Sequence, residues 1–69
     1  MSEVQLLNSL KAARTAAGLT QADLAEKVGV TRKTINTVEN GVFVPSTVLS
    51  LKLARALGVS VEALFQLPE

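Results

Sequence analysis

The stretch TQADLAEKVGVTRKTINTVENG, Thr20 to Gly41, carries helical periodicity twice in quick succession and breaks it at one glycine. Leu24 and Val28 share a face before Gly29, and Ile35 and Val38 share one after it. Thr20 and Thr31 stand where each of the two helices needs a cap. A chain that ends an amphipathic helix and restarts it at once must turn sharply, and Gly29 tolerates the positive φ such a turn requires. The crossing point of two helices so joined needs a small side chain, and Ala25 is placed to supply it.

The rest of the chain is built to surround this pair. Its 69 residues include no Cys and no His, so disulfides and thiolate metal sites are excluded and no metal site or cofactor is expected. Stability must come from helix packing or self-association, since a domain of this size buries only about 60% of its unfolded surface. Hydrophobic residues make up 48% of the chain, mostly Leu, Ala and Val. No apolar run is long enough for a membrane span and no signal-peptide pattern opens the chain, so an intracellular, cytoplasmic protein is expected. Ser2 and Gln5 resemble a capping box, and Val4, Leu7, Leu10, Ala13 and Ala17 then recur at helical spacing to Gly18. The stretch from Val42 to Pro45 reads as a loop. Ser46 caps a fourth helix with Leu49, Leu53, Ala54 and Leu57, stopped by Gly58. Ser60 caps a short fifth, in which Val61, Leu64 and Phe65 share a face. The expected fold is all-α: one compact five-helix bundle.

Two helices joined at roughly a right angle by a short glycine-containing turn make a helix-turn-helix. Its inner faces are supplied by Leu24, Val28, Val30, Ile35 and Val38. On the second helix of the pair, Arg32, Lys33, Asn36, Thr37 and Asn40 fall within one arc opposite Ile35 and Val38. That arc contains no acid, whereas solvated faces normally mix Glu with Lys. Arg and Lys pair with guanine O6/N7 and Asn with adenine N6/N7 in the major groove, each good pair contributing roughly 1–3 kcal/mol of discrimination. The net charge of +1 adds nothing to this argument, so local geometry carries it.

The segments GLTQADLAEKVGVTRKTINTVENG, PST, LARALGVS and LF together resemble the Cro/C1-type (Xre) helix-turn-helix family of phage repressors and bacterial regulators. The resemblance runs from Leu10 to Leu64. It implies a lambda-repressor-like DNA-binding domain over residues 10–64, with the helix-turn-helix at 21–40; residues 1–9 read as an extension of the first helix, earlier than is usual in the family, and residues 65–69 as the C-terminal end. It further implies a transcriptional regulator, a repressor, reading a palindromic double-stranded DNA site as a homodimer. Carried over by position, Arg32, Lys33, Asn36 and Thr37 would face bases. Gln21, Thr31, Thr34 and Asn40 would hold or approach phosphates. In the family Arg14 and Glu39 would form a largely buried ion pair. Pairing of copies is expected through the C-terminal surface of Val59, Val61, Leu64 and Leu67, with the loop Val42–Phe43–Val44 and Val48 as the second candidate.

Departures from the family pattern are informative. Val42, Phe43 and Val44 replace the cations that family loops often carry after Asn-Gly, and Ala13 stands where many members have Leu. An enzyme is not expected, because no nucleophile–base pair, phosphate-cradling glycine loop or suitably spaced pair of carboxylates is present. The competing reading is a protein-interaction module or an antitoxin-type partner-binding protein on the same fold.

Overall fold

Four hydroxyl residues start the helices that follow the first. The computed structural model describes residues 6–68, and the element order is β1 (Leu7–Asn8), α1 (Leu10–Ala16), α2 (Gln21–Val28), α3 (Arg32–Glu39), α4 (Thr47–Leu57), α5 (Val61–Leu64) and β2 (Phe65–Gln66). Thr20, Thr31 and Ser46 adopt extended backbone conformations before α2, α3 and α4, and each side chain accepts the amide three residues on. Ser60 does the same for α5. At Thr20 the cap is reciprocal: its hydroxyl accepts the Asp23 amide while the Asp23 carboxylate accepts the Thr20 amide, both at 3.0 Å.

Gly29 ends α2 with φ of 77°, and the amides of Gly29 and Val30 both donate to the Ala25 carbonyl. This closes the turn within two residues and sends α3 across α2. Ala25 is buried, so the small residue lies inside the angle between the helices. Leu10, Leu24, Ile35, Val38, Leu53 and Leu64 are the largest fully buried side chains, one or two from each helix. The core thus sits where all five helices converge, with α2 packed chiefly against α3 and α4.

The N-terminal part departs from expectation. Leu7 and Asn8 do not extend the first helix; they form an antiparallel strand pair with Phe65 and Gln66, in the register Leu7 to Gln66 and Asn8 to Phe65. The physical reason lies in Asn8. Its Oδ1 accepts the Leu10 amide at 2.9 Å, which starts α1 there, and its Nδ2 donates to the Val38 carbonyl near the end of α3. The Ser9 amide donates to the Leu64 carbonyl at 2.8 Å. Continuing the helix upstream would forfeit all three bonds. Phe65 likewise leaves the fifth helix, becoming extended while remaining buried. Leu7 and Ala17, expected inward, are exposed. The Ser2–Gln5 capping box and Val4 lie outside the described residues.

Candidate nucleic-acid interface

Burial divides α3 as the periodicity requires. Ile35 and Val38 are fully buried; Arg32, Lys33, Asn36 and Asn40 are exposed; Thr34 and Thr37 are half-buried at the margin. The one acid of this helix, Glu39, is turned away from the exposed face. Its Oε2 accepts Arg14 Nε at 2.6 Å and its Oε1 accepts Arg14 Nη2 at 3.3 Å, a fork-to-fork pair. The two side chains are 10% and 2% exposed. Arg14 Nη1 donates to the Leu19 carbonyl at 2.8 Å, so each guanidinium nitrogen is satisfied. The bridge joins α1 to the end of α3 and leaves the outer face of α3 free of negative charge.

Glu39 does more than pair with Arg14. Its Oε1 also accepts Gln21 Nε2 at 3.0 Å, which ties the first side chain of α2 to the last of α3. One N–H of the Gln21 amide is thereby engaged, and the second remains available. Gln21, Thr20, Gly18, Arg14 and Arg32 line a shallow groove between the start of α2 and the start of α3. Helix N-termini carry amides without intrahelical partners and the positive end of the dipole, so an anion is favoured there. Thr20 satisfies the Asp23 amide, and those of Gln21 and Ala22 remain as donors. The Thr20 amide first, then its hydroxyl, hold the Asp23 carboxyl below the ordinary aspartate range, with Lys27 adding a smaller attraction. That carboxylate lies in the same first turn and offsets part of the positive potential.

On the exposed face of α3 the amides are organised as well. Asn40 Nδ2 donates to Asn36 Oδ1 at 3.2 Å, leaving the Asn36 amino group free and its oxygen with one lone pair in use. The Thr37 hydroxyl donates to the Thr34 carbonyl at 2.9 Å, so Thr37 has its methyl and acceptor lone pairs left to offer a base. Thr31 and Thr34 hydroxyls lie 3.1 Å apart at the start of α3. The expected base-facing set and Gln21, Thr31, Thr34 and Asn40 therefore surround one surface made by α3 and the N-terminus of α2.

The C-terminal pairing surface needs correction. Leu64 is fully buried in the core and is unavailable to a partner, and Val61 is half-buried against that core. Val59 and Leu67 are exposed. Sequence reasoning also missed the Gln21–Glu39 bond and the Asn8 bracket. Neither has a local signal, because the partners are distant in sequence.

Two helices joined through a glycine turn, the second exposing cations and amides on a face free of acids, are the arrangement of helix-turn-helix DNA-binding proteins. A family model described as helix-turn-helix matches residues 10–64, and the chain belongs to the Cro/C1-type helix-turn-helix family. The chain is 47% identical over 58 residues to the HTH-type transcriptional regulator MJ0272 of Methanocaldococcus jannaschii, covering 84% of this chain and 88% of that protein. It is 42% identical over 62 residues to YgzD of Bacillus subtilis, another HTH-type transcriptional regulator, covering 90% and 94%. Its fold is similar to the restriction-modification controller protein C.AhdI of Aeromonas hydrophila, with TM-score 0.73, 42% identity and coverage of 77% and 80%. It is also similar to the clp gene regulator ClgR of Corynebacterium glutamicum, with TM-score 0.76, 31% identity and coverage of 80% and 58%. The protein is a DNA-binding transcriptional regulator of this class. Among the described residues no helix is long and apolar enough to cross a membrane, and no cluster of metal-ligating side chains occurs.

Proposed function

We propose that the protein is a repressor that reads a palindromic site as a homodimer, with α3 of each copy in the major groove. One observation carries this reading: α3 exposes Arg32, Lys33, Asn36 and Asn40 together while its single acid is folded inward onto Arg14. A surface of cations and amides without a carboxylate is matched to phosphates and base edges, and a protein adaptor has no need of it. Arg32, Lys33, Asn36 and Thr37 read bases; Gln21, Thr31, Thr34 and Asn40 hold the backbone and set the register. One α3 spans too few base pairs for a unique site, and a symmetric pair doubles the contacts at a spacing of one helical turn. A dimer bound in this way occludes the duplex beneath it, so a site within a promoter is silenced.

Selection of bound sequences from a random DNA pool tests the proposal. The expected result is an inverted repeat whose half-sites lie about 10 base pairs apart, centre to centre. A single half-site without symmetry overturns the homodimer, and no enrichment overturns sequence-specific reading. A reporter carrying the selected site in its promoter then shows repression by falling output.

A further inference from the structure

Asn36 and Asn40 stand one turn apart on the exposed side of α3, joined through their side chains as well as their backbones. Asn40 Nδ2 donates to Asn36 Oδ1 at 3.2 Å, and the Asn40 backbone amide donates to the Asn36 carbonyl at 3.0 Å. The turn that follows holds Asn40 in place. There the Gly41 amide donates to the Val38 carbonyl, and the amides of Val42 and Phe43 both donate to the Thr37 carbonyl. Asn40 is therefore a fixed donor and not a fraying helix end. An unrestrained side-chain amide presents its oxygen and its amino group interchangeably, by turning about its last torsion. The bond from Asn40 removes that freedom, because it holds the Asn36 oxygen toward the end of α3. Among the described residues, the whole Asn36 amino group and one lone pair of its oxygen are left unused.

From this pair we infer that Asn36 reads an adenine through both atoms of its amide, and that Asn40 is the positioning residue that sets the amide for it. In the major groove adenine N7 accepts and adenine N6 donates, so adenine is the base whose edge uses the amino group and the remaining lone pair together. Guanine offers two acceptors there, and thymine and cytosine one polar group each. Asn40 keeps a second N–H for a phosphate. A phosphate only accepts, so contact with the backbone holds Asn40 in the same donating sense. One relay then runs from phosphate through Asn40 and Asn36 to the base, and couples register on the backbone to the choice of base. The inference rests on the DNA reading proposed above and adds to it the base and the coupling.

Binding titrations of the full chain on its selected site, and on duplexes changed at single base pairs, test this, with thermal melts confirming that each variant is folded. Asn36→Ala is expected to lose about tenfold discrimination in favour of adenine at one base pair of the half-site. Wild type is expected to lose a similar factor when that adenine is replaced by an analogue carrying carbon in place of N7, and Asn36→Ala to be indifferent to the replacement. Asn40→Ala is expected to weaken every duplex through the lost phosphate contact. It is also expected to lower discrimination at that same base pair about threefold, the worth of one net hydrogen bond. The phosphate contact cancels in the ratio of matched to mismatched duplex, so the ratio isolates the positioning role. Asn40→Lys, which restores a donor, is expected to return the discrimination. An Asn40→Ala variant with the wild-type ratio overturns the coupling and leaves Asn40 a backbone contact alone. If Asn36→Ala loses discrimination at a base other than adenine, or at none, the base assignment is overturned while the DNA reading stands. A wild type that prefers no sequence overturns the DNA reading and this inference with it.

Discussion

Glu39 is the residue on which the proposed reading surface turns. It accepts from Arg14 and from Gln21, so one carboxylate joins α1, α2 and α3 and at the same time removes its own charge from the outer face. Removing one partner of a buried pair strands the other in a medium that solvates it poorly, which typically costs roughly 3–5 kcal/mol, against about 0–1 for an exposed pair. Glu39→Gln and Arg14→Met are each expected to lower the melting temperature by more than about ten degrees in a chain of this size. A loss of a degree or two in the melts would show that the pair contributes little. The proposed DNA contacts divide differently. Arg32→Ala is expected to cost about 1–3 kcal/mol on the selected site and to relax preference at one base pair. Gln21→Ala is expected to weaken all sequences alike and to leave the slope of the salt dependence unchanged, since its neutral amide displaces no counterion. Binding titrations on selected and random duplexes at several salt concentrations separate the two; equal losses on both duplexes for Arg32→Ala would remove it from the base-reading set.

At the scale of elements, the angle between α2 and α3 is set by their ends. Gly29 takes the left-handed conformation that lets the Ala25 carbonyl receive two amides, and the Thr20–Asp23 box starts α2 beside the groove that holds Gln21 and Arg32. The box makes α2 acid-sensitive, and the sign is fixed by Asp23. Its carboxyl is held below the ordinary aspartate value in the folded chain, so its ionised form favours folding. That contribution is complete above the unfolded value near pH 4 and is lost as pH falls through the lower folded value. Asp23→Asn is therefore expected to flatten the stability curve on the acid side below about pH 4 and to leave its alkaline side unchanged, as melts across a pH series will show. The effect on DNA binding runs the opposite way: removing this charge from the first turn of α2 is expected to strengthen backbone affinity slightly.

For the whole molecule, the closing elements are β1 and β2. They bring Leu7 and Asn8 against Phe65 and Gln66, and Asn8 reaches on to the end of α3, so both ends of the described chain brace that helix. Phe65 is the largest side chain contributed by this strand pair and is buried. A domain of this length has a total stability of about 3–10 kcal/mol, and truncating a buried Phe costs roughly 3–5. Phe65→Ala is expected to leave the chain without a cooperative melt near physiological temperature, which circular dichroism will reveal, with specific DNA binding lost in parallel. A melt displaced by only a few degrees would show that the strand pair is peripheral to the fold.

What the sequence determined by itself was everything governed by short-range rules. Helix periodicity, the capping hydroxyls at Thr20, Thr31, Ser46 and Ser60 and the turn at Gly29 are local, so the five helices and the arc of Arg32, Lys33, Asn36, Thr37 and Asn40 were legible residue by residue. Resemblance added the expectation that Arg14 and Glu39 pair. Only the tertiary structure decided where the first helix begins, since Asn8 chooses between helix and strand according to a carbonyl thirty residues away. It alone turned Gln21 onto Glu39, buried Leu64 among the core residues and left Leu51 outside. The apolar pattern tells which residues seek burial, but a side chain is covered only where another element arrives to cover it, and that arrival is a property of the assembled chain.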